Sequence, residues 1–395
     1  MAVDVISNDQ LVKLSEPTDS RENFSPDAAG DQFTARVFSG VDAFRDLASD
    51  SAAMDTFSPS PMQSYIWNLA AAESFTTGEP VVVTVQRQGK TVAFAPLFRP
   101  RGEKRLLFLG HNLYEPTLMT YADDASCQAL ARALMTIKEP IFLRDMDAAS
   151  PVVQSLRAAC SETKRFCITR PMPAHPWLHL DKSWARPEEH LNSGRRSDLR
   201  RARRNLEKMG AISFQNIVPT MAELDDVLTE VFRVESANWK GEEGSGLAYD
   251  PTTQTFFRRY AQLACEQGIL RILLMKCGDQ TAAVQYAVEF KNCFWLLKMG
   301  YDQAFSRCSP GELLIVESLR LAAESGLKVY EFMGTCEAWT HKWTNQSHAS
   351  VSMRIYAPGL RGLIGITAEA AKAAARRAGK ILFQKKAQTK AKNSQ

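Results

Sequence analysis

The chain has 395 residues and a mass of 44.0 kDa, with 45% hydrophobic and 23% charged side chains. That length suits two to three domains of about 150 residues, and the composition excludes a fibrous, collagen-like or wholly disordered chain. The formal charge is +4, but residues 359–395 hold nine bases and one acid, leaving 39 bases against 43 acids elsewhere; the positive charge belongs to the tail and excludes a basic, DNA-binding body.

Residues 1–32 carry seven acids and two bases without sustained periodicity and read as a disordered acidic arm. They lack the basic stretch and apolar core of a secretory signal, and no run of about 18 apolar residues follows that would make a membrane-spanning helix. Globular sequence begins at Phe33. The stretch Pro171 to Pro176 (PMPAHP) punctuates it, giving domains at 33–170 and 171–357 and a tail at 358–395.

The two halves repeat one pattern. VVVTVQRQGKTVAFAPLF (81–98) reads as strand, turn, strand, and so does RILLMKCGDQTAAVQYAVEF (271–290). RLLFLG follows in the first half and FWLLKMG in the second. The gaps from turn glycine to strand-end glycine are 21 residues (89 to 110) and 22 (278 to 300). A helix comes next in each half (CQALARALMTI; ELLIVESLRLAAESG), then another strand (IFLRDM; KVYEFM). From turn glycine to that strand the spacings are 52 (89 to 141) and 51 (278 to 329). Two β-β-β-α-β units predict a tandem α/β protein, each half a mostly antiparallel mixed sheet flanked by helices.

The second half carries the candidate chemistry. Ser309-Pro310-Gly311-Glu312 has the form of a helix start, with Ser at the N-cap, Pro at the first helical position and Glu three after the cap. A helix N-terminus directly after a strand presents free N–H groups to a pyrophosphate, and Arg307 adds charge. Residues 194–210 (GRRSDLRRARRNLEKMG) place Leu199, Ala202, Leu206 and Met209 on one helical stripe. Arg196, Arg200 and Arg204 fall on another, where guanidinium forks can take phosphate or carboxylate; an ordinary solvated face has the same pattern. In ESANWKGEEGSG (235–246), Trp239 and Lys240 open a glycine-rich loop suited to covering a substrate, and Glu235 before it is a candidate general base. After KVYEFMGT, Lys342 is a candidate for stabilising an oxyanion or holding phosphate, and His341 is the alternative base. No G-x-S-x-G elbow is present, which argues against a hydrolase.

Taken in order, PWLHLDKSW, RRSDLRRARRNLEKMG, ESANWKGEEGSG, DQTAAVQYAVEF, SPGELLIVESLRLAAESGLKVYEFMGT and HKW resemble the CelD-type acetyltransferases, named from cellulose-biosynthesis proteins, of the GNAT superfamily. These are similar in architecture to the Fem peptidyltransferases, which carry two GNAT-like domains. The resemblance implies a tandem GNAT fold and N- or O-acyl transfer from acetyl-CoA, without a metal, to a small-molecule amine or hydroxyl such as a sugar or glycan precursor. It places Arg196 at the basic position of the Fem-type R-x-x-[IL]-x-[KR]-A pattern and Lys342 at the lysine after the last core strand. It also implies that Arg307, Ser309 and Gly311 hold the donor. Where the GNAT phosphate loop reads [RQ]-x-x-G-x-[GA], this chain has Pro310 and Glu312 at the glycine positions. Aminoacyl-tRNA, the Fem donor, is the alternative, and a non-catalytic binding protein on the same fold is a third reading.

The eight cysteines contain no C-x-x-C pair, and several, such as Cys265 and Cys293, sit in apolar patterns, as expected of a reducing cytoplasm. His175 and His179 flank an apolar strand without a third ligand, so no metal is expected. In the tail, Lys372, Arg376 and Lys380 recur at i+4 through an alanine-rich helix ending Ile381-Leu382-Phe383. Such a helix can rest on an anionic membrane, placing the protein at its inner face; a solvated tail helix is the alternative.

Overall fold

The computed structural model describes residues 3–7, 33–113, 115–237, 250–360, 362–368 and 370–371. The arm contributes β1 (Val3–Ser7), which pairs in parallel with β2 (Phe33–Ser39). This corrects the expectation of an arm without structure at that stretch: VDVIS carries two β-branched valines and an isoleucine, which suit a sheet edge. Helices α1 (Val41–Asp46), α2 (Ser51–Phe57) and α3 (Tyr65–Ser74) follow. The first half continues with β3 (Gly78–Arg87), β4 (Lys90–Pro100), β5 (Leu106–Phe108), β6 (Thr120–Tyr121), α4 (Asp124–Leu134), β7 (Ile141–Asp147) and α5 (Pro151–Glu162). The long strand β8 (Phe166–His179) leads into α6 (Ser193–Glu207), β9 (Ile212–Ile217), α7 (Leu224–Ser236) and α8 (Pro251–Glu266). The second half ends with β10 (Leu270–Cys277), β11 (Gln280–Phe290), β12 (Cys293–Tyr301), α9 (Pro310–Glu324), β13 (Val329–Glu331) and β14 (Ser347–Tyr356).

The repeat is present in the pairing as well as the spacing. β2-β3-β4-β5-β7 in the first half and β9-β10-β11-β12-β13 in the second each make three antiparallel pairings and then one parallel pairing. The parallel pair needs a crossover, supplied by α4 in one half and α9 in the other. Even a backbone outlier repeats. Asp145, four residues into β7, has φ 56°, and Met333, at the equivalent step after the start of β13, has φ 57°. Non-glycine residues rarely accept this conformation; in the first half it falls inside β7, which still pairs with β14 at Met146 and Asp147, and in the second it falls two residues after the end of β13.

The sheets join through β8, which pairs with β14 along most of its length and with β13 at Trp177–His179. The prolines expected to mark a domain junction therefore lie inside a strand. A register shift in β14 between His348 and Ser350 accommodates them. The expected boundary changes in a second way. β14, assigned by sequence to the second domain, lies between β7 and β8 and completes the sheet of the first half.

Helices α3 and α8 pack against each other between the halves. Trp67 meets Phe256 and Tyr260 edge-on, each with ring centroids 4.8 Å apart. Such pairs contribute about 0.5–1.5 kcal/mol each beyond area burial, so the two halves share one core. Separate apolar layers lie under α4 and α5 in the first half and between α6, α9 and the sheet in the second.

Candidate functional site

Pro310 starts α9 because its fixed φ is already helical and its missing N–H would be unpaired there in any case. The residue before it departs from the capping expected of it. Ser309 is left-handed (φ 46°, ψ 50°), and its side chain does not cap the helix. Gly311 is buried against the Met299 methyl and the Tyr301 ring of β12, so the first turn lies directly on the strand end. Glu312 points its carboxylate to Lys342, which bonds it through Nζ. Beside them Trp343 is 6% exposed, and its indole N–H meets no acceptor. A buried donor without a partner is costly. Here it lines a cavity of about 120 Å³ together with Arg195, Asp198, Glu312 and Lys342. The helix N-terminus, Arg195 and Lys342 bring positive charge to this corner, and Asp198 and Glu312 bring two carboxylates.

β12 pairs with β13 only at Cys293–Trp295, whereas its pairing with β11 runs to Tyr301. The two parallel strands diverge, and the ladder on the β13 side of β12 stops before the strand does. Such an edge offers N–H and C=O groups to an extended ligand.

On the other face of β12, the face packed by α7 and α8, Glu235 is buried against Gly300. A β carbon on Gly300 would overlap the Glu235 Cα, so only glycine allows this approach. Lys298, two residues earlier, bonds Glu115 of the first half at 2.7 Å and lies 5.0 Å from the centre of the Phe257 ring. The second carboxylate oxygen of Glu115 is buried without a donor. Near the left-handed turns, His175 donates from Nδ1 to the Gly334 carbonyl at 2.6 Å, and its Nε2 is buried without a partner. Burial pushes the Asp145 carboxyl above the usual range, and Glu115 acts in the same direction; Arg144 and His175 oppose them. His348 bonds Glu331 at 2.9 Å, and that bond raises its pKa against the opposing effect of burial. Half-satisfied buried polar groups cluster at functional sites. These occupy the seam between the two halves, at the ends of β7, β12 and β13.

The residues singled out from sequence fall in several places. Glu235 and Lys342 stand on opposite faces of the β12 end. Arg307 and Ser309 are exposed in the turn before α9, and Gly311 is buried in its first turn. His341 is exposed on a short 3-10 turn. Arg196 donates to the Leu191 carbonyl at 2.9 Å and lines a groove of about 280 Å³ between α6 and α9, on the outer side of the second half. Arg200, Arg203 and Arg320 share that groove; Arg204, expected in the stripe, is not part of it. Met209 also departs from expectation. It is exposed because α6 ends at Glu207, before the apolar stripe reaches it. Trp239 and Lys240 lie outside the described residues.

Sequence reasoning missed Glu115, Lys298, Asp145 and Glu331. Three of these had a signal: a charge inside an otherwise apolar strand (FWLLKMG, IFLRDM, KVYEFM). Among the described residues, no group of three or more His, Cys, Asp and Glu is placed to hold a metal ion, and no helix is long and apolar enough to cross a membrane.

Comparison with known proteins agrees with this architecture. Residues 193–342, from α6 to Lys342, match the family described as the acetyltransferase (GNAT) domain. The fold is similar to that of FemX, with a TM-score of 0.52 at 14% identity over 78% of this chain and 96% of that one. It is also similar to the C-terminal domain of a putative lysylphosphatidylglycerol synthetase from Agrobacterium fabrum, with a TM-score of 0.51 at 10% identity over 80% and 92%. A conserved protein of unknown function from Bacteroides thetaiotaomicron gives a TM-score of 0.50 at 11% identity over 78% and 97%. No curated protein matches the chain. The second half thus matches a GNAT acetyltransferase domain over residues 193–342 and stands in a tandem arrangement with a unit of the same strand order.

Proposed function

We propose that the second half transfers an acetyl or other acyl group from coenzyme A to an amine or hydroxyl of a small or envelope-directed acceptor. The observation that carries this reading is the uncapped N-terminus of α9 beside the unpaired edge of β12. An extended thioester donor needs an anion seat for its diphosphate and a strand edge for its amide-bearing arm. Pro310 and Glu312 depart from the glycine pattern of the phosphate loop, but Lys342 neutralises Glu312, and the Trp343 N–H has no acceptor of its own. On this reading Arg195, Lys342 and the helix N-terminus hold the diphosphate, against the opposing carboxylates of Asp198 and Glu312.

In the proposed reaction the acceptor attacks the thioester carbonyl directly. Its lone pair forms the new C–N or C–O bond, the C–S bond breaks, and the thiolate leaves. Glu235 takes the acceptor proton as general base. N–H groups of the β12 edge stabilise the oxyanion. The CelD-type resemblance supports a sugar or polysaccharide precursor as acceptor and a cytoplasmic location, with the basic tail, which lies mostly outside the described residues, against anionic lipid.

The test is thioester release from acetyl-CoA against a panel of sugars and amines. Release dependent on one acceptor class, and lost in Glu235→Gln, supports the reading. Absence of both turnover and calorimetric heat with acetyl-CoA and free coenzyme A sinks it. Aminoacyl-tRNA is the second donor reading. It is favoured by the solvent-facing arginines of α6, Arg200, Arg201, Arg203 and Arg204, which suit a phosphate backbone. Binding to neither donor leaves a non-catalytic binding protein.

A further inference from the structure

The first half holds a cavity that the acyl-transfer reading does not use. It measures about 500 Å³ and lies on the sheet face opposite α4 and α5. Strand alternation builds it. Leu107 of β5 pairs beside Phe142 of β7, Arg354 of β14 stands opposite Phe142, and Ser352 stands opposite Arg170 of β8. With a side-chain period of two, Arg105 just before β5, Arg144 of β7, Arg354 of β14 and Arg170 of β8 project onto one face. Glu103, which bonds Arg105, is the one carboxylate among the lining residues. Asp145, outside the lining, lies 3.9 Å from Arg144.

The arginines are arranged around a ring. The Arg105 guanidinium lies 5.3 Å from the Phe142 centroid, and that of Arg354 lies 5.2 Å from the same centroid. At the far wall His111 stacks on Phe98 with centroids 5.7 Å apart, and its Nδ1 is buried without a partner. Outside its tail the chain is net acidic, so four arginines around one concavity are a local departure from the surrounding charge.

We infer that this cavity is a second ligand site, distinct from the α9 corner, that binds a phosphate or diphosphate group attached to an aromatic or apolar body. The guanidinium forks match phosphate oxygens bidentately, and Phe98, Phe142 and His111 supply surfaces for the attached body. A soluble nucleotide and an anionic lipid headgroup share this chemistry. Leu360, Leu363 and Ile364 are exposed on the segment just after β14, and Gly365 of that segment packs on Tyr356, whose ring meets Phe142 edge-on at 5.6 Å.

The experiment uses the full chain, with calorimetry against inorganic pyrophosphate and ADP, and flotation with vesicles of phosphatidylglycerol in phosphatidylcholine. Wild-type protein should bind at least one of these probes. Arg354→Gln and Arg144→Gln should each weaken that binding at least tenfold at an unchanged melting temperature. Arg354→Lys should lose less than Arg354→Gln, and Lys342→Ala, which removes only the α9 corner's share of diphosphate binding, should keep the arginine-dependent binding. Binding of ADP more tightly than pyrophosphate identifies a nucleotide-like ligand, and arginine-dependent flotation alone identifies a headgroup; either supports the site. The inference is overturned if no probe binds, if both glutamine variants bind as wild type, or if Lys342→Ala abolishes binding while Arg354→Gln does not.

Discussion

The two halves share their strand pairings and a crossover helix, yet the start of that helix differs. In the first half, Asp123 caps α4 by accepting from the Ser126 N–H at 2.8 Å, and Arg87 holds its other oxygen at 2.8 Å. The anion position at that helix is filled by the protein's own carboxylate. In the second half Ser309 leaves α9 uncapped, and a cavity lies beside it. The strands before the helices differ in the same sense. β5 is three residues long and passes into a loop that sends Glu115 to Lys298, whereas β12 is nine residues long with an edge partly unpaired. The same strand order thus has a helix start closed from within in one copy and open in the other. The proposed donor site belongs to the open copy.

That contrast can be tested, beginning with the largest effect. Glu235→Gln should lower kcat by about 100- to 10 000-fold, the range for a lost general base. Asp123→Ala in the first half should leave kcat unchanged. Equal losses in both variants would erase the distinction.

Gly300→Ala comes next. The added methyl overlaps Glu235, so the variant should lose about 1–3 kcal/mol of stability together with activity, read by urea titration and by assay. Gly110, its counterpart in the first half, has φ 77° instead. Gly110→Ala should therefore lose stability through backbone strain while keeping the second-half site intact.

Lys342→Ala should weaken coenzyme A binding by about tenfold, the equivalent of about 1.4 kcal/mol. Glu312→Gln should tighten it, because the carboxylate opposes a bound phosphate. Opposite signs in calorimetry would locate the anion at α9.

A smaller effect is expected from pH. His348 gains Glu331 as a partner, so its folded pKa lies above the unfolded value of about 6.5. Its contribution to stability is complete below that unfolded value and is lost as pH rises through the folded one. Melting temperature should fall more between pH 6 and 8 in wild-type protein than in His348→Gln. The smallest effect is the stability cost of Asp123→Ala, about 1 kcal/mol for a lost N-cap.

The repeat was legible in the sequence, but the contrast between its two helix starts was not, since Ser309 was expected to cap α9. The turn glycines Gly89 and Gly278 and the spacing to Ile141 and Val329 revealed the repeat because each unit is local. The start of α9 was legible for the same reason, although Ser309 turned out left-handed. The seam was not. Glu115 and Lys298 are 183 residues apart, and nothing in either neighbourhood encodes the other's position. β14 was misassigned because SHASVSMRIY alternates like any half-buried strand, and alternation does not say which sheet receives it. Arg196 was found as part of a basic face, but the groove it lines forms only when α9 packs alongside.

β14 also sets an order of assembly. During synthesis the first half emerges long before the residues that complete its sheet, so β7 and β8 must wait with exposed edges until the chain has reached Tyr356. Unpaired edges are aggregation hazards, and domains ordinarily fold as units from the N-terminus. Here the first unit cannot close alone. A fragment ending after α5 should be insoluble on the ribosome's timescale, and a nascent chain stalled before residue 347 should engage chaperones that the finished protein no longer needs.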